Sequence, residues 1–169
     1  MRRFLATFAT LGLLWACVSQ LNHVLAPLHV FLFVDGLFVA YAALVLPWGT
    51  GFAAVLAAGM VCDANAAAPF GLQVVLFAAA HAVLFHLRDR LPRDEMVGRV
   101  AIALLTNFAL LLALSFLQID RGPFAAARWI RLGSDLVCSQ LFLALVAPWF
   151  FALQEKALVL ARAEPGRLL

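Results

Sequence analysis

Apolar residues fill six windows of this chain, roughly 4–22, 28–46, 51–68, 71–87, 98–118 and 131–153, and prolines, glycines and charged residues collect between them. Each window approaches the ~20 apolar residues that an α-helix needs to cross a bilayer, so the pattern predicts six transmembrane helices. Pro47-Trp48-Gly49-Thr50-Gly51 reads as a turn between the second and third windows, with Trp48 as an interfacial anchor. The third and fourth are parted only by Pro69-Phe70. They form either a tight helical hairpin or one long broken segment.

Composition supports a lipid-embedded chain. Of 169 residues, 66% are hydrophobic and 12% charged, and the mean hydropathy is +1.01. A water-soluble globule of this size could not hide so much apolar surface. The expectation is an all-α polytopic membrane protein, residues 1–169 forming one integral membrane domain. The N-terminal MRRFLATFATLGLLWAC begins like a secretory signal, but Trp15 is too bulky for a small-residue cleavage position and the apolar run continues toward Leu21. An uncleaved first span is expected.

Charge sets the orientation. On a six-span layout nine basic residues fall on one side (Arg2, Arg3, Arg88, Arg90, Arg93, Arg99, Lys156, Arg162 and Arg167) and three on the other (Arg121, Arg128 and Arg131). The positive-inside rule therefore places both termini and the 88–99 loop in the cytoplasm. A five-span alternative puts the terminal basic clusters on opposite faces. The net charge of +3 sits beside hydrophobic segments and does not point to nucleic acid. Cys17, Cys62 and Cys138 are scattered in apolar runs and suit small packing residues better than a disulfide framework or a metal site.

With that orientation, the intramembrane carboxylates Asp35, Asp63 and Asp135 all fall in the outer half, Asp135 in the first outer turn of the sixth span. Asn22, His23, His29, Asn65, Gln73, Gln118 and Asp120 lie at similar or shallower depth, which predicts a polar, outward-facing cavity or interface. An ionised carboxylate at the bilayer centre is unfavourable by roughly 2.5–3.5 kcal/mol, so these groups should be paired, protonated or near the surface. Arg131 and Asp135 are four apart and can meet on one helix face. Arg128, Trp129 and Arg131 form an interfacial lead-in to the last span. Asp63 has two readings: a carboxylate that accepts backbone N–H groups around the 64–71 turn, or a contact for a ligand or partner helix. Gly59, four residues upstream, permits close approach of a neighbouring helix, and Pro69 with Gly71 fixes a sharp return. Asp35 lacks such a turn and suits an interhelical bond or a solvated cavity wall. His81 and His86 read as packing or interfacial residues rather than a proton relay.

No phosphate loop, HExxH, CxxC pair or nucleophile elbow occurs, and the glycine-framed pattern of an intramembrane aspartyl protease is absent around the three aspartates. The expectation is a non-enzymatic protein without a cofactor or metal.

The segment from Leu28 to about Leu87 carries Tyr41-Ala42-Ala43-Leu44, the turn Pro47 to Gly51, Gly59-x-x-x-Asp63 and Pro69-x-Gly71. On these residues the chain resembles the rod shape-determining protein MreD family. The resemblance implies a multi-pass inner-membrane scaffold of bacterial cell-wall elongation. Its partners would be an MreC-like bitopic protein, the RodA-like and penicillin-binding-protein peptidoglycan synthases and, indirectly, the MreB cytoskeleton. It also implies a partner or ligand interface around Asp63, Gly59, Asn65, Pro69, Gly71, Asp35, Asp135 and Arg131. The alternative is the substrate-binding subunit of an energy-coupling-factor vitamin transporter, also a small six-span protein, whose outward pocket would draw on Asp35, Asp63, Asn22 and His23.

Overall fold

The computed structural model describes residues 2–65, 69–92, 95–118 and 125–160, which hold α-helices, one 3-10 turn and no strand. The helices are α1 (Arg2–Leu25), α2 (Asp35–Val45), α3 (Trp48–Asn65), α4 (Leu72–Leu87), α5 (Met96–Gln118) and α6 (Ala125–Leu160). Each apolar window thus yields one helix, and α3 and α4 are separate helices rather than one broken segment. Three stretches are long and apolar enough to cross a membrane: Phe8–Leu28, Met96–Leu117 and Trp129–Ala157. The helices α2 and α4 are apolar but shorter.

Three boundaries differ from the sequence pattern for identifiable reasons. The second window starts at 28, yet α2 starts at Asp35. Pro27 favours the 3-10 turn Ala26–Leu28, and His29 then takes a left-handed conformation (φ 55°) that stops helix propagation. The chain runs without regular structure to Val34. The expected turn Pro47 to Gly51 shrinks to Leu46 and Pro47, because proline suits the start of a helix: Trp48 already opens α3, and the Gly51 N–H reaches the Pro47 carbonyl at 2.8 Å. The last helix begins at Ala125 and passes through Pro148 to Leu160. Asp135 therefore lies well inside α6, not in its first turn.

The helix α2 is the axis of the fold. Every residue from Gly36 to Leu44 is buried, enclosed by α3, α4, α5 and α6. Its near-uniform apolarity follows, since a helix surrounded by protein has no polar face to present. Gly36 lets α2 and α5 touch at the backbone: a Cβ there would stand 2.3 Å from the Asn107 Cα. Gly51 does the same between α2, α3 and α4, where a Cβ would meet the Ala42 carbonyl oxygen and His81 Nε2 at 2.7 Å each.

In contrast, α1 packs on α6 and α3 along one edge only and leaves most of its surface exposed. Gln154 donates to the Thr10 hydroxyl, and Arg99 pairs with Glu155. These two links fasten α1 and the start of α5 to the C-terminal part of α6. Near the 88–99 segment, the Arg88 guanidinium lies 3.8 Å from the centre of the Phe85 ring, which also meets Trp48. Arg93 lies outside the described residues, as do Asp120, Arg121, Arg162 and Arg167, and nothing is described of the side chains of Gln118 and Arg128.

Candidate functional site

Asp63 is held by the helix it faces. Its side chain is buried near the C-terminal end of α3, and its two oxygens accept three backbone N–H groups: Gly71 (2.9 Å) and Val74 (3.1 Å) at Oδ2, and Gln73 (3.0 Å) at Oδ1. The first N–H groups of any helix lack intrahelical acceptors, and here a carboxylate from the preceding helix supplies them. The partial positive charge at the start of α4 favours the same arrangement.

Two glycines make this capping geometry reachable. Gly71 adopts φ 99°, a conformation that L side chains rarely take. Gly59 faces α4 so closely that a Cβ would lie 2.7 Å from the Val74 Cα. Pro69 contributes its carbonyl, which accepts from Leu72 N–H at 3.2 Å. Asn65 does not join: its exposed amide bonds back to the Val61 carbonyl of its own helix at 2.7 Å. Of the two readings of Asp63, backbone capping is the one this geometry displays.

A second polar network surrounds the irregular segment before α2. The Asn22 amide of α1 bonds Leu32 on both sides, accepting from its N–H at 2.7 Å and donating to its carbonyl at 2.9 Å. Phe31 N–H donates to Asp135 Oδ1 (2.8 Å), and Phe33 N–H to the Ser139 hydroxyl (2.9 Å), both on α6. The Asn107 amide of α5 donates to the Phe33 carbonyl (2.9 Å) and accepts from Gly36 N–H (3.1 Å). Backbone with no helical or sheet partner is tolerated inside an apolar fold only when other groups satisfy it. Four side chains from three helices do so here.

Asp135 and Asn22, expected in an open polar cavity, are therefore structural ligands of this strand-like segment. Arg131 approaches Asp135 only loosely, with Nε and Oδ2 4.0 Å apart, and stays largely exposed. Asn107 and Ser139 were not singled out from sequence. The available signal was an amide deep in the apolar run of α5, but nothing in the sequence links it to residue 33.

Asp35 has a different setting. It begins α2 and lines a cavity of about 120 Å³ between α1, α2, α3 and α4, together with Gly12, Trp15, Phe38, Cys62 and Phe77. Among the described residues its carboxyl group has no hydrogen-bond or ion-pair partner. The wall is otherwise apolar. Asp35, Asp63 and Asp135 thus do not converge on one site: each faces a different element.

His81 is fully buried in a ring of aromatic groups, with centroids 5.2 Å from Trp48, 5.9 Å from Phe52 and 6.0 Å from Phe85. His86 bonds the Ala82 carbonyl through Nδ1 at 2.7 Å. His81 stands as a packing residue at the α3–α4 pair, whereas His86 is exposed beside Trp48. The three cysteines are free thiols, and among the described residues no group of three His, Cys, Asp or Glu side chains could hold a metal ion. No protein-family model, curated protein or solved structure matches the chain.

Proposed function

We propose that the protein is a non-enzymatic, six-span scaffold of the bacterial inner membrane, working in cell-wall elongation in the manner of MreD. The observation that carries this reading is the α3–α4 corner. The residues on which the resemblance rests, Gly59, Asp63 and Gly71, each have a distinct role in one local device: close approach, capping and a left-handed turn.

Six crossings fit the lengths. The 11-residue α2 covers about 16 Å, short of about 30 Å of hydrocarbon, and the irregular segment 29–34 before it supplements that length. The 16 residues of α4 cover about 24 Å and are supplemented by the turn at 69–71. The links Gln154–Thr10 and Arg99–Glu155 bring the first half of α1, the start of α5 and the end of α6 together, as expected if both termini share the cytoplasmic face. Exposed apolar residues on α1 and α6, among them Leu13, Leu145 and Trp149, then face lipid or the spans of partner proteins.

The test is affinity purification of the tagged protein from its native cells in mild detergent, with mass spectrometry of proteins and small molecules. The expected result is recovery of an MreC-like bitopic protein and a RodA-like synthase, with MreB arriving only through them. Recovery of ATPase subunits with a bound vitamin overturns the scaffold in favour of the transporter reading.

A further inference from the structure

We infer that the Asp35 cavity is a binding site for a small amphipathic amine, whose ammonium group meets the carboxylate while its hydrocarbon body fills the apolar space. The inference stands on the cavity itself and does not depend on the scaffold reading.

Three observations carry it. First, among the described residues Asp35 is the only charged member of the wall and nothing pairs with it. A carboxyl group enclosed by apolar atoms is unfavourable until a donor reaches it. Asn22, Asp63, Asn107 and Asp135 are already committed to backbone. Second, water is a poor occupant. A buried water seeks two to four polar partners, and this wall offers one strong acceptor. Third, the volume of about 120 Å³ has the scale of cavities that accept a benzene-sized molecule. One cation on a compact hydrocarbon body matches that size and that single charge.

An amine of this kind has two sources, a free molecule or the ethanolamine end of a lipid. The α1 wall of the cavity is loosely held, since α1 touches α3 over a short stretch only. Gly12 on α1 lines the cavity and has nothing within 4 Å of a Cβ placed on it, so a larger side chain there enters the empty space without a clash.

The experiment titrates the full-length protein, in detergent micelles, with benzylamine, and with toluene as the same body lacking the amine. Thermal stability and intrinsic tryptophan fluorescence are both read, since Trp15 forms part of the wall. Benzylamine should give a saturable response at least tenfold tighter than any response to toluene. Asp35→Asn, which keeps the side chain's shape, and Gly12→Leu, which fills the space, should each weaken it at least tenfold. Gly133→Leu, also without neighbours within 4 Å and outside the cavity, should leave it unchanged.

Repeating the titration in phosphatidylglycerol nanodiscs with and without phosphatidylethanolamine assigns the source: competition by the second lipid points to the headgroup, and its absence to a free amine. Equal responses to benzylamine and toluene, no saturable response, or a response retained in both Asp35→Asn and Gly12→Leu would overturn the proposal.

Discussion

Asp63 lies beneath the start of α4 and accepts three backbone N–H groups, whereas Asp35, at the start of α2, lines an apolar cavity without a hydrogen-bond partner among the described residues. Both are single carboxyl groups within an apolar window. What separates them is the backbone nearby. The chain reverses beside Asp63 and leaves helix N–H groups unpaired, which a carboxylate from the preceding helix can satisfy. Around Asp35 the comparable debt, at Phe31, Leu32, Phe33 and Gly36, is met by Asp135, Asn22, Ser139 and Asn107. Asp35 is left over. Polar residues in such a fold therefore divide into those that discharge a backbone obligation and those that do not, and the second kind is where ligand chemistry is to be sought.

The largest effect should come from Asp63→Ala. It leaves three N–H groups unpaired, one buried and two partly buried, at about 1–3 kcal/mol each before relaxation, so a loss of roughly 3–5 kcal/mol is expected in unfolding titrations in mixed detergent–dodecyl sulfate micelles. A loss below about 1 kcal/mol, the net worth of one ordinary hydrogen bond, would show that the cap is replaceable and would erase the contrast with Asp35.

Asn107→Leu comes next. It removes the donor to the Phe33 carbonyl and the acceptor for Gly36 N–H, and two orphaned backbone groups imply roughly 2–4 kcal/mol. The change should also raise amide hydrogen exchange at Gly36, which a merely volumetric defect elsewhere in α5 would not do. Unaltered exchange there would count against the bond as the element that anchors the segment. Gly71→Ala forces a Cβ into φ 99° with no neighbour in its way, so backbone strain alone sets an expected loss of about 1–2 kcal/mol. Asp135→Ala removes a single N–H acceptor and a loose ion pair at a partly exposed site, and about 1 kcal/mol is expected. It should fall clearly short of Asp63→Ala; an equal or reversed order in melting temperature or partner recovery would break the ranking.

The helices were legible in the sequence because long apolar windows punctuated by proline, glycine and charge admit few other readings. The α3–α4 corner was legible too, since Gly59, Asp63, Pro69 and Gly71 act within 13 residues of one another. The start of α2 was not. Its apolar window runs unbroken from Leu28, and the left-handed backbone at His29 that delays the helix to Asp35 has no glycine to announce it. Nor could the partners of residues 31–36 be read, because three of the four side chains lie more than 70 positions away, on α5 and α6. The expected outer cavity lined by several polar groups depended on leaving those groups unassigned. With Asn22, Asp63, Asn65 and Asp135 each bonded to backbone, Asp35 is the carboxyl that remains to line a cavity.

Asp35→Asn should have the smallest effect on the unliganded protein, and that is the informative one. Two contributions oppose each other. An ionised carboxylate in an apolar environment is unfavourable by roughly 2.5–3.5 kcal/mol at the bilayer centre and less toward its edge. A negative charge at the first turn of a helix gains about 0.3–1 kcal/mol from the N-terminal dipole, which the amide forfeits. No hydrogen bond enters on either side, so the variant should unfold within about 0.5 kcal/mol of the parent or be slightly more stable. Measured destabilisation above about 1 kcal/mol would mean that Asp35 carries a structural obligation as Asp63 does. The cavity would then lose the unsatisfied group that makes it a candidate for an amine, and the distinction between the two aspartates would be one of degree.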